Sequence, residues 1–291
     1  MQSPTARPRH FLASEFPNAT AARAAFHIIP VPMELSVSYG AGASRGPAAI
    51  LDASGQLEAH DRGIRPGAAG IHTQAAVQLP RKADAEAWLA AITASVARAL
   101  AVKARPLILG GEHTVTLGAA RAFAAARRKI GFVHFDAHAD LRDRYEGSPF
   151  SHACVMRRVV EMGFPVAQFG TRATSEDEQT FRSSHPLLTA FDADRLTGPT
   201  LPRRLLPARF PKRIYMSFDV DALDPAQMPA TGTPVVGGLF WRQAMALLDR
   251  IAQGRTIVGA DVVELAPIPG LHHADFTAAQ LVHRLLALMT P

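Results

Sequence analysis

Four short apolar runs in this chain end alike, in acidic residues or histidine, and that layout narrows the fold more than any other feature. They are PLILGGEH (106–113), IGFVHFDAHAD (130–140), RIYMSFDVDALD (213–224) and TIVGADVVEL (256–265), and FHIIPVP (26–32) precedes them. Helix-like stretches lie between: 83–102, 116–129, 152–163 with a closing glycine, 241–254 and 277–289. Strands alternating with helices predict an α/β fold with a parallel sheet covered by helices on both faces. There is no internal repeat or low-complexity linker, and the Pro-rich stretch 195–211 reads as a surface connection. One domain is expected.

In open parallel sheets, ligands bind beyond the carboxyl ends of the strands. The four polar clusters all fall at that end of their runs, so they can meet in one cleft. Any single cluster is as well read as a helix N-cap or a turn. Four at equivalent positions are not.

The stretch VHFDAHADLRD spaces Asp136, His138 and Asp140 at every second position. In a strand such side chains share a face. FDVDALDP repeats the spacing with Asp219 and Asp221, and His113 follows the Gly110–Gly111 turn. Four carboxylates and two histidines bring too much negative charge for one ion, whereas two divalent cations with bridging carboxylates would balance it. Oxygen-rich ligation with some imidazole favours Mn²⁺, with Zn²⁺, Co²⁺ and Ni²⁺ left open. Two such ions can activate water near neutral pH, which is hydrolase chemistry. A purely structural metal site would normally be saturated by protein ligands.

Composition narrows the partners. Apolar residues make up 48% of the 291 and charged residues 19%, a core-forming balance. A single cysteine, Cys154, rules out an intramolecular disulfide and points to a reducing, cytoplasmic setting. The start of the chain has no uninterrupted apolar core of a secretory signal, and no run is long enough to span a membrane. The net charge of +6 comes from scattered arginines with only short pairs such as Arg127–Arg128 and Arg203–Arg204, so no nucleic-acid partner is expected.

Taken together, GGEHTVTLG, DAHADLRD, SFDVDALDP and DVVEL resemble the ureohydrolase family of arginases, agmatinases and related guanidino hydrolases, in the family's order and spacing. The stretches 30–61 and TGTPVVGGL (231–239) are more similar to agmatinases than to arginases. The resemblance covers nearly everything from about Phe26, which sets residues 1–25 apart as an N-terminal extension and 26–291 as the single domain. It implies a three-layer α/β/α fold with about eight parallel strands, two Mn²⁺ per subunit, and a homotrimer or homohexamer. His113, Asp136, Asp140 and Asp219 would ligate one manganese and bridge, and His138 and Asp221 would complete the other. The family's first motif often has Asp where this chain has Glu112, a position that is not a ligand in the family pattern.

The resemblance also implies roles for His152, as a proton shuttle to the leaving amine, and for Glu264, as the carboxylate that pairs with the substrate guanidinium. An imidazole titrating near neutrality suits the first task and a carboxylate accepting parallel hydrogen bonds the second. Their plainer readings are a surface histidine at a helix start and a strand-end salt bridge. Asp140 is expected to stabilise the tetrahedral intermediate and receive a proton. Asp261 reads as structural, bonding a histidine or backbone group behind the ligands. The Gly-rich YGAGASRG (39–46) fails the dinucleotide fingerprint at Arg45 and reads as a turn before a helix at Pro47.

Hydrolysis of agmatine to putrescine and urea is the leading expectation. An amine tail would want an acidic rim, for which Glu146 and the SEDE run (175–178) are candidates. A guanidino acid such as guanidinobutyrate would instead want Arg142, Arg144 or Arg172. Arginine, guanidine or formiminoglutamate as substrate stays open too, as does a non-catalytic role. His272 and His273 read as surface histidines in an extended segment near the cleft mouth.

Overall fold

The computed structural model describes residues 10–80, 82–198 and 200–290. The expected extension at 1–25 therefore lies partly outside the described residues. From residue 10 onward it packs on the domain, where Phe11 and Leu12 are buried and the Phe11 N–H donates to Thr73 Oγ1 at 3.0 Å.

Among the described residues, eight parallel strands form one sheet. In chain order they are β1 (Phe26–Val31), β2 (Ile71–Thr73), β3 (Arg105–Gly110), β4 (Gly131–Phe135), β5 (Val166–Phe169), β6 (Leu188–Phe191), β7 (Arg213–Asp219) and β8 (Thr256–Val263). Their order across the sheet is β2-β1-β3-β8-β7-β4-β5-β6. The helices are α1 (Gly46–Ser54), α2 (Ala85–Ala101), α3 (Val115–Ala125), α4 (Val155–Glu161), α5 (Glu176–Ser184), α6 (Ala193–Leu196), α7 (Trp241–Ala252) and α8 (His272–Met289).

The three layers follow from the period-2 alternation of fully apolar strands. On β3, Leu107 and Leu109 join the core under α1, α7 and α8, while Ile108 joins the one under α2, α3 and α4. The helices form where apolar stripes and caps coincide. At the start of α2, Asp84 accepts the Ala87 N–H at 2.8 Å.

Where β7, β4, β5 and β6 end, four phenylalanines run side by side. Phe135 stacks on Phe218 at 4.9 Å and on Phe169 at 5.3 Å, and Phe169 stacks on Phe191 at 5.3 Å. Phe135 and Phe218 immediately precede Asp136 and Asp219. This aromatic row fixes the strand ends from which the polar loops depart.

Several sequence expectations need correction. The apolar run at 130–140 is strand only to Phe135, and Asp136 to Asp140 form a loop in which Asp140 has φ +53°. Asp is among the residues that tolerate that left-handed conformation. The helix expected from 152 begins as a 3-10 turn at His152–Cys154 before α4. His272 and His273 open α8 rather than lying extended. The connection 195–211 carries buried Leu205, Leu206 and Phe210, so it is anchored to the core; its Pro199 lies outside the described residues.

Candidate metal centre and active site

Two copies of one local device build the centre. Asp136 Oδ1 accepts the N–H of His138 at 2.6 Å, and Asp219 Oδ1 accepts that of Asp221 at 2.8 Å. In each, a carboxylate bonded to the amide two residues on turns the chain just past a strand. Convergence thus comes from these turns and not from strand alternation. The loops lock together where Asp221 Oδ1 accepts the Ala137 N–H at 2.9 Å.

All six sequence-derived donors meet. His113 Nδ1 lies 3.1 Å from Asp136 Oδ2, 3.2 Å from Asp140 Oδ2 and 3.3 Å from Asp219 Oδ2. His138 Nδ1 lies 3.0 Å from Asp221 Oδ2 and 3.5 Å from Asp136 Oδ1. Two groups with converging donor atoms result, His113–His134–Asp136–Asp140 and Asp136–His138–Asp221, and Asp136 belongs to both.

These residues fit a cation pair. His113 Nδ1 is buried with no hydrogen-bond partner, although three carboxylate oxygens surround it. Donors sharing one ion at about 2.1 Å and roughly a right angle stand about 3 Å apart, the spacing these atoms show. Cys154, the only thiol, is buried and belongs to neither group, and burial, followed by the nearby Asp140 charge, pushes its pKa up to about 11.

The charge balance points the same way. Burial, then repulsion from Asp221 and Asp136, raises Asp219 well above the usual carboxylate range, and burial followed by Asp136 raises Asp221. Burial alone would lower His113, but Asp136, Asp140 and Asp219 reverse this and raise it well above an ordinary imidazole. So many buried carboxylates call for compensating positive charge.

A buried chain orients His113. Ser217 Oγ donates to Asp261 Oδ1 at 2.7 Å and lies 2.9 Å from His113 Nε2, while Thr116 donates to Asp261 Oδ2 at 2.8 Å. With the Ser217 proton committed to Asp261, its oxygen accepts Nε2–H, and Nδ1 is the nitrogen that faces the carboxylates. Asp261 was expected to bond a histidine or a backbone group directly; instead it accepts from the Ser217 and Thr116 hydroxyls and reaches His113 only through Ser217.

His134 was missed. It is fully buried on β4, with Nε2 2.8 Å from Asp136 Oδ2 and Nδ1 3.1 Å from the Gln168 amide nitrogen. That amide donates to Nδ1, so Nε2–H donates to the aspartate. Its signal was available: the spacing 136, 138, 140 extends one step back to 134.

Glu264 leaves the end of β8 with φ +64°, held by its N–H bond to the Gly111 carbonyl at 2.8 Å. Its Oε1 accepts the His113 N–H at 2.6 Å. Burial, then repulsion from Glu112, raises its pKa well above the usual range. Gly111 cannot be replaced there, since a Cβ would collide with the Met33 carbonyl.

His152, Glu112 and Glu264 line a cavity of about 30 Å³ together with His113, His138, Asp140, Asp219 and Asp221. It adjoins an outer cavity of about 290 Å³, lined by Arg142, Tyr145, Thr174, Ser175 and Glu178. Ser38, His138, Asp140, His152 and Thr233 border both.

The proposed tail-binding residues fare unevenly. Arg142 lines the outer cavity with its side chain 40% exposed. Arg172 lines neither cavity: its guanidinium donates to the carbonyls of Gly170, Asp221, Val235 and Val236, tying Val235 and Val236 to the Asp221 turn. Arg144 donates to the Gly147 carbonyl in an exposed turn, and Glu146 in that turn lines neither cavity. The SEDE run begins α5 with a capping box. Its Glu178 is committed to Ser175 and to the Leu141 N–H, and so does not form an open acidic rim.

The sequence profile of the Arginase family matches residues 24–288. N(1)-aminopropylagmatine ureohydrolase of Thermus thermophilus is 40% identical over 264 residues, covering 90% of this chain and 89% of that protein. Agmatinase of Pyrococcus horikoshii is 32% identical over 276 residues, covering 94% of this chain and 95% of its own length. The solved structure of proclavaminate amidino hydrolase from Streptomyces clavuligerus superposes with a TM-score of 0.82 at 26% identity, covering 98% of this chain and 97% of that one. With the profile spanning almost the whole chain and the histidine–aspartate cluster at the ends of one parallel sheet, this chain belongs to the arginase family and is a hydrolase of the ureohydrolase type.

Proposed function

We propose that the protein hydrolyses a guanidino compound with an aliphatic amine tail, with agmatine yielding urea and putrescine as the leading substrate. The observation that carries this reading is the meeting of the carboxylate–imidazole cluster, His152 and Glu264 on one small cavity. In it, His113, Asp136, Asp140 and Asp219 would hold one divalent cation, and His138 and Asp221, with Asp136, would hold a second. The oxygen-rich, thiolate-free donor set favours Mn²⁺. When bound, such a pair supplies Lewis acidity and makes water a nucleophile near neutral pH.

The chain's own residues supply binding and proton transfer. Glu264 Oε1 is taken by the His113 N–H, so Oε2 is the oxygen offered to the planar guanidinium. Water adds to the guanidinium carbon and passes a proton to Asp140. The bond from that carbon to the tail nitrogen then breaks; the nitrogen takes one proton from Asp140 and one from His152, and the hydroxyl proton released as urea forms restores His152. Both water protons finish on the departing ammonium, and the carbon leaves as urea.

A second reading, N(1)-aminopropylagmatine as substrate, is supported by the Thermus relative and by the outer cavity, which gives room for a longer tail. We further propose that residues 26–291 act as one catalytic domain, assembled as a homotrimer or homohexamer in the cytoplasm. Among the described residues no helix is long and apolar enough to cross a membrane.

Kinetics of the Mn²⁺-loaded protein on agmatine, N(1)-aminopropylagmatine, arginine, guanidinobutyrate, formiminoglutamate and guanidine test this reading. One of the first two is expected to exceed the rest in kcat/KM by at least about tenfold, since a site built for a charged tail discriminates strongly. Preference for arginine or formiminoglutamate would refute it.

A further inference from the structure

Glu112 stands where the family pattern often has Asp, takes no part in the donor cluster, and is 2% exposed. Its Oε2 accepts the backbone N–H groups of Leu35 at 2.5 Å and Ser36 at 2.7 Å, two charge-assisted bonds to a loop 76 residues away in sequence. Ser36 then clasps His152 at two points. Its Oγ accepts the His152 backbone N–H at 3.0 Å and lies 3.0 Å from ring Nδ1.

One hydroxyl has one proton and two lone pairs. With one lone pair taken by the backbone N–H, Ser36 can donate to Nδ1 of a neutral ring or accept from Nδ1–H of a charged one. Either way Nδ1 is occupied, and Nε2 is the nitrogen left for chemistry in the cavity. Tyr145 packs edge-on against the ring at 6.0 Å, limiting its swing. We propose that Ser36 is a positioning residue for His152, holding the ring in one orientation through both protonation states, and that Glu112 sets Ser36 by anchoring its backbone. This rests on the reading of His152 as the proton shuttle. A glutamate is needed because aspartate would end about 1.5 Å short of the loop, one C–C bond length.

The test is a double-mutant cycle on the Mn²⁺-loaded protein, with metal content measured for every variant. His152→Ala first tests the underlying reading and should lower kcat by at least about a hundredfold. Ser36→Ala should lower kcat by about tenfold or more, with KM within about twofold and two metals retained, because proton transfer is affected and substrate binding is not. Ser36→Thr keeps the hydroxyl and should restore most of kcat. Glu112→Asp should lower kcat in the same way as Ser36→Ala, with metal retained. In the His152→Ala background, Ser36→Ala should have no further effect, since it acts only through the ring. A large His152→Ala effect with wild-type kcat in Ser36→Ala would overturn the proposal and leave the shuttle standing. So would additive losses in the double variant. Unchanged kcat in His152→Ala would overturn the shuttle itself and the proposal with it.

Discussion

His113 and Ser217 are 2.9 Å apart, and because the Ser217 proton goes to Asp261, the serine oxygen accepts Nε2–H and Nδ1 is the nitrogen that faces three aspartates, where a cation would take it. The affinity of the centre for metal therefore depends on a hydroxyl that touches none of the carboxylates around Nδ1. Ser217→Ala removes the acceptor for Nε2–H. It is expected to weaken divalent-metal binding by about tenfold to a hundredfold, the usual cost of losing an orienting partner, while circular dichroism stays native. Calorimetric metal titration measures it; unchanged affinity would mean that the ring is oriented by packing alone.

Asp136 and Glu264 are assigned different tasks and should fail differently. Asp136 joins both donor groups, so Asp136→Asn should lose metal and turnover together. Glu264→Gln should keep its metals and lose kcat/KM by about a hundredfold or more, because a carboxamide cannot pair with a guanidinium. Metal analysis of both purified variants distinguishes the cases, and equal metal loss would merge the two roles.

The loop before α1 carries a pH-dependent contact. Burial pushes the Glu34 carboxyl up, but the Ser44 hydroxyl and the N–H groups of Gly42, Ser44 and Ala43 together outweigh it and hold the pKa below its usual range. A carboxyl depressed in the folded state contributes stability that is present above its unfolded value, about 4.3, and is lost as pH falls through the folded value. Wild type should therefore melt above Glu34→Gln at pH 7, with the gap closing toward pH 3. A gap constant with pH would contradict this role.

The aromatic row supports the strand ends under the centre. Phe135 is fully buried and stacked between Phe169 and Phe218. Phe135→Ala should cost about 3–5 kcal/mol in a denaturant titration, in the range for deleting a large core side chain. Phe135→Leu should cost clearly less. Equal costs would mean that ring stacking, and not volume, supports the row.

Much of the centre was legible because its donors sit at strand ends, where an apolar run followed by Asp or His is a local pattern. The six donors were found this way, yet the reason given for their convergence, strand alternation, gave way to two Asx turns. Side-chain bonds that turn a loop leave no periodic signature. His134 was hidden within an apolar run, where a buried histidine resembles core. The short strands β2, β5 and β6, of three and four residues, carry too few positions for a period to emerge. Helix α5, EDEQTFRSS, is too polar to show an apolar face and is recognisable only by its Ser175–Glu178 cap. Arg172 looked like a candidate for anion binding, because a guanidinium spent on backbone carbonyls is indistinguishable in sequence from a free one.

Two cations sharing Asp136 are expected to act on a guanidino carbon. Urea release from agmatine, followed while metal-free protein is titrated with Mn²⁺, tests this most directly. The rate should climb to a plateau at two equivalents per chain, with amine formed in equal amount. A plateau at one equivalent, or two metals bound with no urea from any guanidino compound, would contradict it.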